Sequence, residues 1–359
     1  MFFINVPLFL ACIFCIFMLH RVHQVPDQYE YVRWQGESEE PYSQISCFMP
    51  SDGKLTVSDI FTFRNDMMKK FEEASIENGE TKFIDCWSTE GSVKAKGDRK
   101  EGSVGVTAVG GSFFAFHPMQ LVSGNYIFES DLMKDNVLLD EEAAWMLFGG
   151  SNLAGMSVDI SGIPFRIAGV VSRDDSRAFR KAYTAGPGIF MSYDAFSDLS
   201  TGAADAATIE PGAEKAAVGI SCYELCLPNP VKNFALGFVE SKFPIGSGEI
   251  VENSGRYDII NLLRIAKNPA LRVMHGAATY PSWENAARYV ENKSTTLLCL
   301  AILFGLGPEL LVLASVVKNL LWTKLQLEGH YLPALWEKTE EAIRVQERKQ
   351  WEKKHPNQH

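Results

Sequence analysis

Apolar and polar positions along this chain follow three rhythms. Residues 2–20 and 295–317 are nearly unbroken apolar runs, the first free of acidic and basic side chains before His20 and the second carrying one, Glu309. As helices they measure roughly 27 Å and 34 Å at ~1.5 Å per residue, enough to cross a hydrocarbon core of ~30 Å. Between them the pattern is that of a folded body. After them, residues 325–354 place Leu332, Leu335, Trp336, Thr339 and Ile343 on one stripe of an otherwise charged helix.

The body is organised around residues 111–171. An aromatic-rich segment reads as extended and is followed by a strand at 136–139. Asp140 then caps a helix, with Glu141 and Glu142 in the first turn and Gly149-Gly150 as the stop. Residues 156–160 and 164–171 alternate about Ser161-Gly162, as a two-residue hairpin does. Upstream, 44–49 reads as extended, Ser51-Asp52-Gly53 as a turn, and Thr56 or Ser58 as the cap of a helix over 59–74. Its Ile60, Phe63, Met67 and Phe71 share one face. Strands at 82–88 and 103–109 flank a charged turn at 94–102, and Glu77 to Glu80 ends the preceding helix.

Downstream, Arg173, Arg177, Arg180 and Lys181 read as a solvated basic face, 188–192 as a strand, and 201–217 as a loop or short helix. An apolar extended piece at 220–228, a helix after Asn229 or Asn233, an extended 248–253 and a helix over 258–267 follow. In the last of these, Ile259, Leu262, Leu263 and Ala266 are at helical spacing. A helix starting at Pro281 runs on through Arg288 into the second apolar run, a rod able to transmit movement. The class is α+β, without a glycine-rich loop opening a nucleotide-binding unit.

The flanks of the apolar runs favour membrane anchoring. No basic region precedes Phe2 and no small-x-small site follows Leu19, so an uncleaved anchor is expected over a signal peptide. Tyr280, Trp283 and Tyr289 before the second run and Trp322 after it suit interfacial belts, and Lys318, Lys324 and Lys338 mildly favour a cytoplasmic C-terminus. Both termini are then cytoplasmic and the middle extracytoplasmic. Residues 25–293 hold 37 acidic against 25 basic side chains, a net −12 that argues against a nucleic-acid partner. Cys12, Cys15 and Cys299 lie in the apolar runs, leaving Cys47, Cys86, Cys222 and Cys226 outside. Cys222 and Cys226 are a candidate disulfide, with buried free thiols the equal alternative, and one C-x3-C pair is thin support for zinc.

Sites that would make the chain an enzyme are absent: G-x-x-x-x-G-K-[ST], H-E-x-x-H and G-x-S-x-G do not occur. No cofactor is expected, and His117, His275 and His330 read as surface or core histidines. Glu309 is the candidate functional residue within a span, since a carboxyl in hydrocarbon needs a partner or water. Pro308 before it loosens the helix.

The order Ser112-Phe113-Phe114, Leu121 to Gly124, Val137 to Asp140 ahead of Ala143-Ala144, Leu147-Phe148-Gly149, Gly155 and Phe165 to Val171 resembles the MacB-like extracytoplasmic core domain of MacB/FtsX-class ABC transporter permeases. The resemblance covers roughly residues 2–317. It implies a bipartite ectodomain, with a discontinuous porter-like αβ part at 27–109 and 189–288 and an inserted β-rich part at 110–188. Spans at 2–20 and 295–317 agree with it, and it implies a separate ABC ATPase and a partner permease subunit, because the class usually carries four spans; the residue pattern itself makes 325–354 a cytoplasmic amphipathic helix. Leu332, Leu335, Trp336 and Ile343 are the candidate docking face. The competing reading is an anchored sensor or binding module without transport.

Overall fold

The computed structural model describes residues 2–22, 29–36, 40–50, 53, 55–74, 83–182, 186–204, 218–272 and 280–354. The chain begins with α1 (Phe2–Val22), α2 (Glu30–Gln35), β1 (Tyr42–Phe48), α3 (Val57–Glu73), β2 (Ile84–Lys96) and β3 (Glu101–Gly111). Next come α4 (Phe113–Phe116), β4 (Gln120–Gly124), β5 (Asn136–Asp140), α5 (Glu141–Leu147), β6 (Ser157–Ile160), β7 (Ile163–Ser172) and α6 (Arg177–Ala182). They are followed by β8 (Gly188–Ser192), α7 (Tyr193–Ala204), β9 (Cys222–Pro228), α8 (Phe234–Lys242), β10 (Glu249–Glu252) and α9 (Ile259–Lys267). The chain ends with α10 (Ser282–Gln326), a π-helical turn Leu327–Tyr331 and α11 (Leu332–Lys354). It divides into two compact units, His20–Thr296 and Met1–Leu19 with Leu297–His359.

In the first unit one mixed sheet of ten strands has the order β10-β1-β9-β2-β3-β8-β5-β7-β4, with β6 paired to β2 and β7. The pairs β3–β8 and β5–β7 are parallel and the others antiparallel. β9 inserts between β1 and β2, and each of its residues is buried, as expected of a strand covered on both faces. On one face α3 and α8 bring Ile60, Phe63, Met67, Phe71 and Phe238 onto Ile45, Tyr223, Leu225 and Leu227. At the other end of the sheet Ala143, Ala144 and Leu147 of α5 pack on Val104, Val106, Val137, Leu139 and Ile167.

Local chemistry explains the elements that the residue pattern anticipates. Thr56 closes a capping box with Asp59, whose N–H donates to Thr56 Oγ1 at 3.3 Å while Thr56 N–H donates back to Asp59 Oδ2 at 2.9 Å. Asp140 caps α5 by accepting from Ala143 N–H at 2.6 Å and also accepts from Gly188 N–H at 2.7 Å. Ser161 and Gly162 turn with φ of 53° and 87°, the paired left-handed conformation of a tight hairpin.

Three expectations are corrected. Residues 113–116 form a helical turn rather than an extended piece, because a turn carries both Phe113 and Phe116 into the core. Residues 94–96 belong to β2, so the charged turn shrinks to 97–100. Arg173 is only partly exposed and pairs with the buried Asp140, whereas Arg177, Arg180 and Lys181 are exposed as expected. Ser51-Asp52, Glu77 to Glu80, residues 205–217 and the end of the tail beyond 354 lie outside the described residues.

In the second unit α1 lies against the later part of α10. A Cβ at Gly305 would sit 3.4 Å from Cys12 Sγ, and one at Gly307 would sit 3.6 Å from Leu8 Cδ1. Small residues at such a contact let two helices approach closely. Two helices are long and apolar enough to cross a membrane, one over Asn5–Val22 and one within Ser282–Lys354. Pro308 lies inside α10 without ending it.

Candidate functional site

The face of β9 opposite α3 and α8 is built from different chemistry. Alternation along the strand puts Tyr223, Leu225 and Leu227 on one side and Cys222, Glu224 and Cys226 on the other. Register places Glu224 opposite Ser46 of β1 and Cys86 of β2, deep beneath α4 and the first turn of α10. A buried carboxylate is costly unless hydrogen bonds satisfy it. Ser46 Oγ–H donates to Glu224 Oε1 at 2.7 Å, and His117 Nε2 lies 2.6 Å from Glu224 Oε2. The His117 ring is held between Phe113 at 4.7 Å and Trp283 of α10 at 4.4 Å.

From Glu224 the polar contacts continue without a break to α10. Asn253, in the turn after β10, donates from Nδ2 to Ser46 Oγ at 2.8 Å and accepts at Oδ1 from Arg256 Nη1 at 3.0 Å. Arg256 grips Glu284 with two bonds of 2.7 Å and also reaches Glu291, with Nε 2.9 Å from Oε1 and Nη2 3.0 Å from Oε2. Arg288 donates to Glu284 at 2.6 Å and to Glu249 of β10 at 2.9 Å. It also stacks 3.7 Å above the Tyr280 ring, whose hydroxyl donates to Glu249 at 2.6 Å. Glu284, Arg288 and Glu291 fall at i, i+4 and i+7, so one face of α10 supplies all three.

Burial and charge act in opposite directions here, and charge prevails. Burial would raise the Glu284 carboxyl, but Arg256 and Arg288 outweigh it and hold the group below its ordinary value. Burial would lower Arg256, but Glu284 and Glu291 hold it well above the ordinary value. Burial together with the bond to Glu249 pushes the Tyr280 hydroxyl up to about 12. The arrangement is therefore a set of fixed charges and hydrogen bonds joining the sheet to the first turns of α10. Two-pronged guanidinium bonds make it directional.

Cys86, His117 and Glu224 bring a thiol, an imidazole and a carboxylate within 4.8 Å of one another, donor types that zinc accepts. Both Glu224 oxygens are already engaged by Ser46 and His117. Two ligands of one zinc stand about 3.4 Å apart for bonds of ~2.1 Å, wider than the 2.6 Å between His117 and Glu224. As they stand, His117 and Glu224 hold each other.

None of the candidate site residues named from the sequence, Pro308, Glu309, Leu332, Leu335, Trp336, Ile343, Cys222 and Cys226, joins this chain of contacts, while Tyr280, Trp283 and His117, read as interfacial or core residues, do. Cys222 and Cys226 flank Glu224 as free buried thiols. The candidate disulfide between them is corrected, because four residues along a strand span about 13 Å and a disulfide needs Cα atoms within about 7 Å. Burial, with the Glu224 carboxylate second for Cys222 and third after Glu30 for Cys226, pushes both thiols up and leaves them unreactive. Glu309 is exposed on α10 one residue after Pro308. Leu332, Leu335, Trp336 and Ile343 are exposed along α11, Trp336 by 70 %. The missed residues are His117, Glu224, Asn253, Arg256, Glu284, Arg288 and Glu291. The one local signal was the i, i+4 spacing of Glu284 and Arg288.

Residues 37–218 match the MacB-like periplasmic core domain, and the chain belongs to that family. It is similar to the periplasmic region of MacB from Actinobacillus actinomycetemcomitans at 16% identity, over 63% of this chain and 92% of that one, with a TM-score of 0.42. It is also similar to the extracellular domain of the noncanonic ABC-type transporter YknZ from Gram-positive bacteria at 13% identity, over 56% and 88%, with a TM-score of 0.35. A domain of a putative permease protein from Porphyromonas gingivalis aligns at 12% identity, over 67% and 99%, with a TM-score of 0.35. A search of curated proteins found no match.

Proposed function

We propose that this chain is a non-catalytic, permease-like subunit of an ABC transporter complex. Its extracytoplasmic domain is coupled through two membrane helices to a separate cytoplasmic ATPase, for export or mechanotransmission. The observation that carries the reading is the set Glu284, Arg288 and Glu291. These residues lie on the same helix as the apolar run and are bonded to Glu249 and Arg256 of the body. A helix rooted by directional bonds passes a rotation or a pull into the sheet, whereas a greasy contact slips. Both termini are cytoplasmic in this reading, and the ectodomain divides into a porter-like part at 27–109 and 189–288 and an inserted part at 110–188. Glu309 meets a partner permease subunit within the bilayer. Leu332, Leu335, Trp336 and Ile343 dock on the ATPase.

A second reading has one observation in its favour. A cavity of about 330 Å³ is lined by Trp87, Phe113, Phe114, Ile127 and Phe128, with Glu129 at its wall. Trp87 Nε1 is buried there without a hydrogen-bond acceptor among the described residues. Such a cavity suits an anchored binding module.

A crosslinking pulldown from native membranes, with a tag after His359, separates the two. Recovery of an ABC ATPase and a multi-span permease supports the first reading. Recovery of the chain alone overturns it.

A further inference from the structure

Helix α9 has apolar side chains on two sides. Leu262 and Ile265 are buried, while Ile259 (61% exposed), Ile260 (81%) and Leu263 (43%) are left in solvent. Arg264 and Lys267 are exposed in the last turn of the same helix. A nine-residue helix with its own buried anchor and a second, uncovered aliphatic cluster needs an occupant for that cluster.

Three observations within the same unit indicate what covers it. Just before α9, Tyr257 packs with Val22, the last residue of α1, and with Ala286 and Val290 of α10. Helix α9 therefore starts at the level where the chain passes into both apolar runs. Tyrosines gather at that level. The rings of Tyr29 and Tyr31 are 6.5 Å apart, those of Tyr29 and Tyr257 are 6.4 Å apart, and Tyr289 packs against the same cluster. Tyrosine collects where headgroups meet hydrocarbon, because its ring and its hydroxyl prefer different sides of that boundary. Finally, the exposed charges on the second half of α9 are basic in a body whose net charge is −12, the sign that anionic headgroups attract.

We infer that α9 lies in the outer headgroup layer of the bilayer. Ile259, Ile260 and Leu263 enter the acyl boundary, and Arg264 and Lys267 rest on lipid phosphates. Such a helix fixes the height and tilt of the body above the membrane, independently of the two helices that cross it. The inference rests on the membrane placement of α1 and α10 and on no protein partner.

The test uses the full chain in vesicles containing phosphatidylglycerol. A benzophenone-bearing phenylalanine replaces Ile260, Leu132 or Val312 in turn, and the photoproducts are weighed. Val312 lies in the apolar run and reports the crossing itself, and Leu132 is 97% exposed on a loop of the body. The expected result is lipid adducts from positions 260 and 312 and none from 132. In the Arg264→Glu and Lys267→Glu variants the yield at 260 falls about five-fold for each charge, while the yield at 312 is unchanged. Adducts at 260 to a protein, a yield there no higher than at 132, or indifference to both charge changes would overturn the inference while position 312 still labels lipid. Loss of labelling at 260 and 312 together would remove the membrane placement as well.

Discussion

The two faces of β9 are both fully buried and are held in opposite ways. Toward α3 and α8, Tyr223, Leu225 and Leu227 meet Phe63, Met67 and Phe238, and the contact is held mainly by apolar area, with an ionic anchor where Arg64 of α3 grips Asp85 of β2 at 2.7 and 2.8 Å and Tyr223 donates to the same carboxylate. Toward α10, Glu224 begins a run of bonds through Ser46, Asn253 and Arg256 to Glu284 and Arg288. Area tolerates small shifts, because any close-packed arrangement of similar volume serves. A buried ionic run does not, since moving one member strands its neighbour. The helix that contains the apolar run is attached through an extended ionic run, whereas α3 adds one ion pair, Arg64 with Asp85, to a mainly apolar contact.

Breaking the polar side should cost most. Arg256→Met takes the shared guanidinium away from Glu284, which keeps only Arg288, and from Glu291, and is expected to lower stability by about 3–5 kcal/mol, read as thermal unfolding of the full chain in detergent. Combining it with Glu284→Leu and Glu291→Leu should recover most of that loss, because no unpaired charge remains. Under the proposed coupling, ATPase stimulation in the recovered complex should nonetheless fall. On the apolar side Leu225→Ala is expected to cost about 2–4 kcal/mol, with stimulation intact once the sample is cooled to equal folded fraction.

Acid sharpens the contrast. The folded-state value of Glu284 is depressed, so its contribution is complete above the ordinary value of 4.5 and is lost as pH falls through the lower folded value. Melting temperature should drop over that range, and less steeply in Glu284→Gln than in the parent chain. The smallest effect is expected at Thr56→Ala, where loss of the capping box costs about 1 kcal/mol and leaves the polar side untouched.

What could be read from the residues follows the range of the interactions. Thr56 with Asp59, Asp140 with Ala143, and Ser161-Gly162 are contacts between near neighbours, and the residues name the element. Ile60, Phe63, Met67 and Phe71 also declared their face, and all four are buried. For α9 the spacing of Ile259, Leu262, Leu263 and Ala266 announced the helix but not its inner face: Leu262 is buried with Ile265, while Ile259 and Leu263 are exposed. His117 and Glu224 are 107 positions apart, and Arg256 and Glu284 are 28 apart. Their meeting depends on β9 inserting between β1 and β2, a long-range pairing that no local pattern encodes. Glu284 and Arg288 stood at helical spacing, but nothing nearby said that their partners were Arg256 and Glu249.

The most direct test is a double-mutant cycle between Glu224→Gln and Glu284→Gln, measured as unfolding free energy of the full chain. No hydrogen bond joins the two directly; Ser46, Asn253 and Arg256 stand between them. A continuous run of bonds predicts an interaction energy of about 0.5–3 kcal/mol. Additivity to within about 0.3–0.5 kcal/mol, the ordinary behaviour of separate sites, would contradict the account.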